Sequence, residues 1–252
     1  MEASEIDVHG KTGFSILPLP PSDLSKIQRM VQRHWLSTIQ KHHPEHSQVF
    51  ESAGIQDYHL HSSLLPHGSI WSKLNRILPA ADVTAIRDME FFKVLKKNFG
   101  DFTISDEENV GHEEVYWRIV RPNQAQDIGP MHADCWFWDL GHGQTPTGKE
   151  RVKVWIPLFS EPGANGLEVV PGSHLKTWKY HGEMKGTFVK PVFDEDRSTL
   201  DINLLHTKPG DAVVFNDKLL HGGALNKGAK TRVSCEFTMF TTPSARRVPR
   251  VA

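Results

Sequence analysis

The chain has 252 residues, 38% hydrophobic and 23% charged, a size and apolar content suited to one core rather than several. Lys+Arg 29 against Asp+Glu 30 leaves a formal charge of -1, which excludes the basic footprint of a nucleic-acid binder. No apolar run reaches the ~20 residues of a membrane span, and Cys135 and Cys235 make no disulfide framework; with the polar start Met1–Gly10, these point to a cytoplasmic protein with reduced thiols.

In chain order, Gly13–Leu17 reads as a short strand closed by Pro18, Pro20 and Pro21. Ser22 can cap a helix with Leu24, Ile27, Val31 and Trp35 at helical spacing. The His-rich stretch Lys41–Ser69 reads as irregular, and Ile70–Leu78 and Ala80–Phe99 as two further helices. After Gly100 the period shortens. Val115–Val120 and Val152–Leu158 read as strands, the second alternating Val152, Val154, Ile156 and Leu158 with Lys153, Trp155 and Pro157. Asn165-Gly166 signals a tight turn before Leu167–Val170, Pro209-Gly210-Asp211 leads into Ala212–Phe215, and Thr231–Phe240 is a last long strand. Helices followed by short strands, without βαβ alternation, predict a mainly β (α+β) chain. Its helical layer lies mostly within 22–99 and its antiparallel barrel or jelly-roll core at about 113–241, in one domain spanning 1–252. The Arg246, Arg247 and Arg250 tail reads as solvated.

Fifteen histidines raise the question of which act together, because imidazole is the commonest metal ligand. His132-Ala133-Asp134 puts an imidazole and a carboxylate two residues apart, on one face of an extended chain. Two histidines and one carboxylate on one face is the ligand set of non-haem Fe(II). His43-Pro44-Glu45 and His112-Glu113-Glu114 are rival pairs, and any of the three also fits a histidine resting beside an acid. Downstream, KPGDAVVFNDKLLHGG places His221 just past a strand, and Arg232 follows in TRVSCEFTMF. Period two on that last strand separates an apolar face (Val233, Cys235, Phe237, Met239) from a polar one (Arg232, Ser234, Glu236, Thr238). If the polar face looks inward, Arg232 needs an anion, such as one end of a dicarboxylate; if the strand is an exposed edge, it needs none.

His132-x-Asp134, His221 and Arg232 at this spacing resemble the Fe(II)/2-oxoglutarate-dependent dioxygenases, specifically the phytanoyl-CoA dioxygenase-like (PhyH-like) branch. Asn165-Gly166-Leu167-Glu168-Val169-Val170-Pro171-Gly172-Ser173-His174 resembles that family's internal motif, and the likeness runs from about Gly13 to Phe240. It implies a double-stranded β-helix. It also selects His132-x-Asp134, which lies just upstream of the Pro-Gly-Ser-His segment, over the pairs at His43 and His112. By resemblance His132, Asp134 and His221 hold Fe(II), and Arg232 and Ser234 hold 2-oxoglutarate, with Trp155 and Trp117 beside it. With O2 the family converts 2-oxoglutarate to succinate and CO2 while a small-molecule C–H is hydroxylated. Asp134 argues against halogenation, for which relatives replace the carboxylate by a small residue. A silent cupin-like binding protein and a Zn hydrolase on the same ligands are the alternatives.

For the substrate, a sugar or a natural-product intermediate, the aromatic run Trp136, Phe137 and Trp138 is the expected wall. Trp136 and Trp138 share a face with Asp134 if the strand continues, and Arg118 is a further contact. Gly141–Glu150 reads as a loop, and Lys176, Lys179, His181, Lys185 and Lys190 as a basic stretch, more often solvated than not. Neither nucleic acid nor membrane is expected as a partner.

Overall fold

Helices come first and strands after in the computed structural model, which describes residues 5–186 and 188–243. The tail with Arg246, Arg247 and Arg250 lies outside the described residues. Strand β1 (Phe14–Pro18) leads into helix α1 (Pro21–His42). That helix starts on Pro21, whose ring presets φ for a first turn, with Pro20 rather than Ser22 at the cap. Ile27, Val31, Trp35 and Ile39 form its buried stripe.

The stretch read as irregular folds into short helices α2 (Ser47–Ala53), α3 (Tyr58–His61) and α4 (His67–Ile70), which bury Phe50, Tyr58 and Ile70. None is long enough to display a helical period. The helix expected over Ile70–Leu78 is absent; only one 3-10 turn, Leu74–Arg76, follows α4. The helix expected over Ala80–Phe99 is two, α5 (Ala80–Arg87) and α6 (Glu90–Phe99). The buried Asp23 of α1 explains how the second begins, because its Oδ2 accepts the Phe91 N–H of the first turn at 3.0 Å. Among the described residues no helix is long and apolar enough to cross a membrane.

The strands that follow are β2 (Thr103–Ile104), β3 (Tyr116–Val120), β4 (Glu150–Phe159), β5 (Leu167–Val169), β6 (Tyr180–Lys185), β7 (Phe188–Phe193), β8 (Asn203–Leu204), β9 (Asp211–Asn216), β10 (His221–Gly223) and β11 (Arg232–Thr241). A seventh helix, α7 (Asp134–Asp139), interrupts them. All named strand pairings are antiparallel. The major sheet runs β1-β9-β4-β11-β2 with β3 also on β11; the minor sheet runs β10-β5-β8; β6 and β7 form a separate hairpin. That hairpin is a departure from the solvated loop read over the basic stretch.

The major sheet has two different faces. Val152, Val154, Ile156 and Leu158 of β4 and Val233, Cys235, Phe237 and Met239 of β11 pack with α1, α5 and α6 in the large core. The opposite face carries Trp155, Val213 and Phe215, which pack against Leu167 and Val169 of the minor sheet. All ten residues of β11 are buried, so it is no exposed edge.

Candidate metal site

Side chains directly opposite one another in an antiparallel pair share a face, so the register assigns the inner wall row by row. Phe215, Lys153 and Thr238 form one row, Val213, Trp155, Glu236 and Tyr116 the next. Pro157, Ser234 and Arg118 form a third, and Arg232 opposite Val120 the last.

The minor sheet brings the histidines to this wall. His132 and His221 are joined through the backbone, each N–H donating to the other's carbonyl at 2.9 and 2.8 Å. The Pro-Gly-Ser-His segment braces this join: Ser173 Oγ accepts the Leu220 N–H at 2.8 Å, and Val170 N donates to Leu220 O at 2.9 Å. Each ring donates its Nδ1–H to the carbonyl two residues earlier, His132 to Pro130 (2.8 Å) and His221 to Leu219 (2.9 Å). A carbonyl only accepts, so Nδ1 carries the proton and the Nε2 lone pair is free to ligate. Asp134 Oδ1 lies 3.6 Å from His132 Nε2, and Oδ2 lies 3.6 Å from His221 Nε2.

One ligand atom from each of the three residues falls within 4.8 Å of the others, and among the described residues no other group of three meets that test. His43 contacts Glu45, and His112 donates its Nε2–H to Leu78 O at 3.2 Å; neither belongs to such a group.

The electrostatics suit a cation. Burial pushes the His221 imidazole down to about 4, with Asp134 opposing the shift, so it is neutral near pH 7. Burial works against the Asp134 carboxylate, but it is held well below the usual range, with the Lys153 ammonium the largest opposing influence. Asp134 Oδ2 is buried with no hydrogen-bond partner. A buried, ionised oxygen facing two imidazole lone pairs costs free energy until a cation arrives.

A second set of orphans lies further along β11. Arg232 is 3% exposed, and its Nη1 donates to Gly166 O at 2.5 Å, while its Nε has no partner. Among the described residues no carboxylate lies within 4.0 Å of it. Burial and the Arg118 charge press its pKa down to about 10. Ser234, 0% exposed, leaves its Oγ unpartnered beside it. A carboxylate from outside would satisfy both.

The other expected residues separate. Trp155 is on the inner wall in the core between the sheets. Trp117 is not: it stands opposite Cys235 on the outer face, donates Nε1–H to His34 Nδ1 at 3.1 Å and packs on Trp71. Its neighbour Arg118 faces inward, pairs with Glu236 at 2.5 Å and keeps 38% of its side chain accessible. Nor does the strand continue past Asp134. The chain turns into α7, and alternation no longer sets the directions of Trp136 and Trp138. Trp136 stacks on Tyr180 of the hairpin (4.6 Å between centroids), and Trp138 packs on Phe240 and under Arg151. Phe137 instead meets His132 edge-on at 5.3 Å and, through His142, connects to Phe188. Lys153, Tyr116 and Glu236 on the wall were passed over as site residues, although Lys153 alternates with the same set as Trp155.

The arrangement of helices and antiparallel sheets is similar to that of several solved structures. EctD from S. alaskensis, solved with 2-oxoglutarate and 5-hydroxyectoine, aligns over 92% of this chain and 73% of its own, with 14% identity and a TM-score of 0.56. The apo non-heme monooxygenase ThoJ aligns over 92% and 75% (15% identity, TM-score 0.54). SnoK, a non-heme alpha-ketoglutarate-dependent carbocyclase from nogalamycin biosynthesis, aligns over 92% and 80% (11% identity, TM-score 0.52). At these identities the likeness is one of fold. No curated protein gives a significant match. The family is shown by sequence: the profile of phytanoyl-CoA dioxygenase (PhyH) matches residues 83–234, from α5 to β11, and the chain belongs to that family of Fe(II)/2-oxoglutarate-dependent oxygenases.

Proposed function

We propose that the two facing sheets are a double-stranded β-helix and that the protein hydroxylates an unactivated C–H of a small molecule, a sugar or natural-product intermediate. Fe(II), 2-oxoglutarate and O2 would be its cofactor and cosubstrates. The reading takes residues 1–252 as one catalytic unit. One observation carries it: the unpartnered buried atoms of the inner wall, Asp134 Oδ2, Arg232 Nε and Ser234 Oγ, are those an iron and a dicarboxylate would satisfy.

Bound iron and 2-oxoglutarate supply the oxidising power, with succinate and CO2 as coproducts. The chain's own part is geometry and exclusion. His132 and His221 offer Nε2, their rings fixed by the Pro130 and Leu219 carbonyls. Asp134 adds the negative ligand. Arg232 and Ser234 would anchor the distal carboxylate of the cosubstrate, with Trp155 on the same wall beside them. Phe137 covers the outward side of His132 and, with His142, walls the approach from the hairpin.

Anaerobic calorimetry tests this directly. Fe(II) and 2-oxoglutarate should both bind; Asp134→Ala should abolish tight metal binding, and Arg232→Ala should weaken 2-oxoglutarate by at least about tenfold while sparing the metal. A zinc hydrolase on the same ligands would have no use for Arg232. Unchanged 2-oxoglutarate affinity in Arg232→Ala would overturn the cosubstrate assignment.

A further inference from the structure

Three cations surround the Tyr116 ring: Lys73 Nζ at 5.2 Å, Arg118 Cζ at 5.5 Å and Lys153 Nζ at 5.5 Å from its centroid. Two have carboxylates of their own. Lys73 contacts Glu107 at 2.9 Å and Glu108 at 2.8 Å, and Arg118 contacts Glu236 at 2.5 Å. Lys153 differs. It is 4% exposed, and it contacts Thr238 Oγ1 at 3.4 Å and Asp134 Oδ1 at 3.9 Å. Asp134 is thus the one carboxylate within 4.0 Å of this ammonium among the described residues, and it is also a member of the metal triad.

A buried ammonium has three donors and needs anionic or strongly polar acceptors. Once Asp134 serves a dication, its charge is spent on the metal and the same dication repels Lys153. Thr238 Oγ1 accepts from Lys153 at 3.4 Å while donating its own proton to Glu107 Oε1 at 3.0 Å, but it offers only one long contact and no charge. Arg232 and Ser234 lie further along β11, so the distal carboxylate they would hold is spoken for.

We infer that Lys153 is a substrate-recognition residue and that the substrate carries an anionic group, a carboxylate or a phosphate, which docks on it beside the metal. This rests on the oxygenase reading and narrows its substrate class. It also states a geometry: the C–H attacked lies within a few bonds of that anion, because Lys153 adjoins the metal ligand Asp134.

The test uses the full chain loaded with Mn(II) and 2-oxoglutarate, to which [13C]acetate, inorganic phosphate or neutral [13C]acetamide is added. The metal's paramagnetic effect on 13C and 31P relaxation reads how near each probe sits. Acetate or phosphate, whichever chemistry the site takes, should be relaxed about tenfold more strongly than acetamide. Lys153→Met should remove that preference, and Lys153→Arg should keep it, with 2-oxoglutarate affinity by calorimetry near wild type in both and metal affinity no weaker than wild type. Equal relaxation by acetamide would overturn the inference. So would an anion effect that persists in Lys153→Met, the mark of an adventitious metal ligand only. A Lys153→Met variant that loses 2-oxoglutarate affinity would assign the lysine to the cosubstrate and also overturn it. Wild-type protein that binds neither metal nor 2-oxoglutarate would remove the oxygenase reading itself, and the inference with it.

Discussion

Trp117 and Arg118 are adjacent in the chain and face opposite sides of the major sheet, because strand side chains alternate. An aromatic residue near a predicted site is easily assigned to it. Which side it takes depends on register against β11, and register is a tertiary fact. Trp117 therefore belongs to stability. Trp117→Phe, which removes the hydrogen bond to His34, should cost about 1 kcal/mol in urea unfolding and leave 2-oxoglutarate affinity unchanged by calorimetry. Weaker cosubstrate binding in that variant would return Trp117 to the inner wall. Lys153 is the converse case. Its alternation with Val152 and Val154 is plain in the sequence, but nothing there says that Asp134, 19 positions earlier, ends 3.9 Å away.

At the level of elements, α7 decides more than any single ligand. His132 pairs with β10 as an extended residue, Asp134 opens a helix, and the aromatic run that follows is redistributed. Trp136 goes to the β6–β7 hairpin and forms, with Tyr180 and Phe193, the contact between that hairpin and the site. Deleting the indole should therefore loosen the hairpin. Trp136→Ala should speed amide hydrogen exchange across β6 and β7 and leave Mn(II) affinity within about threefold of wild type. Unchanged exchange in the hairpin would show that its docking depends on other contacts. Strand β11 tells the complementary story: its period-two pattern was readable in advance and holds along its length, because both of its faces are buried and a slip of one residue would put Arg232 among the helices.

Over the whole molecule, burial leaves a titration that global stability should record. Glu114, 2% exposed, has its carboxyl pushed up to about 7 from 4.5, chiefly by burial. Between those two values the native state keeps a proton that the unfolded chain releases. The stabilisation is therefore full below pH 4.5 and is lost as pH rises through about 7. Denaturant unfolding should show wild-type stability falling relative to Glu114→Gln across that window, by roughly 3 kcal/mol if the shift is fully expressed. Parallel pH profiles would mean that Glu114 titrates like a solvated carboxylate.

What the amino-acid order determined unaided was whatever depends on short spacing: the alternation of β4 and β11, the helical stripe of α1, the His-x-Asp pair and the family motif around Pro171 to His174. These are local because pleat and helix pitch repeat within a few residues. Tertiary structure alone decided which wall each side chain joins, that Glu236 is taken by Arg118, and that Asp134 of the candidate triad lies 3.9 Å from Lys153. Those outcomes follow from antiparallel register and from the packing of two sheets, and contacts between residues far apart in the chain leave no periodic trace in it.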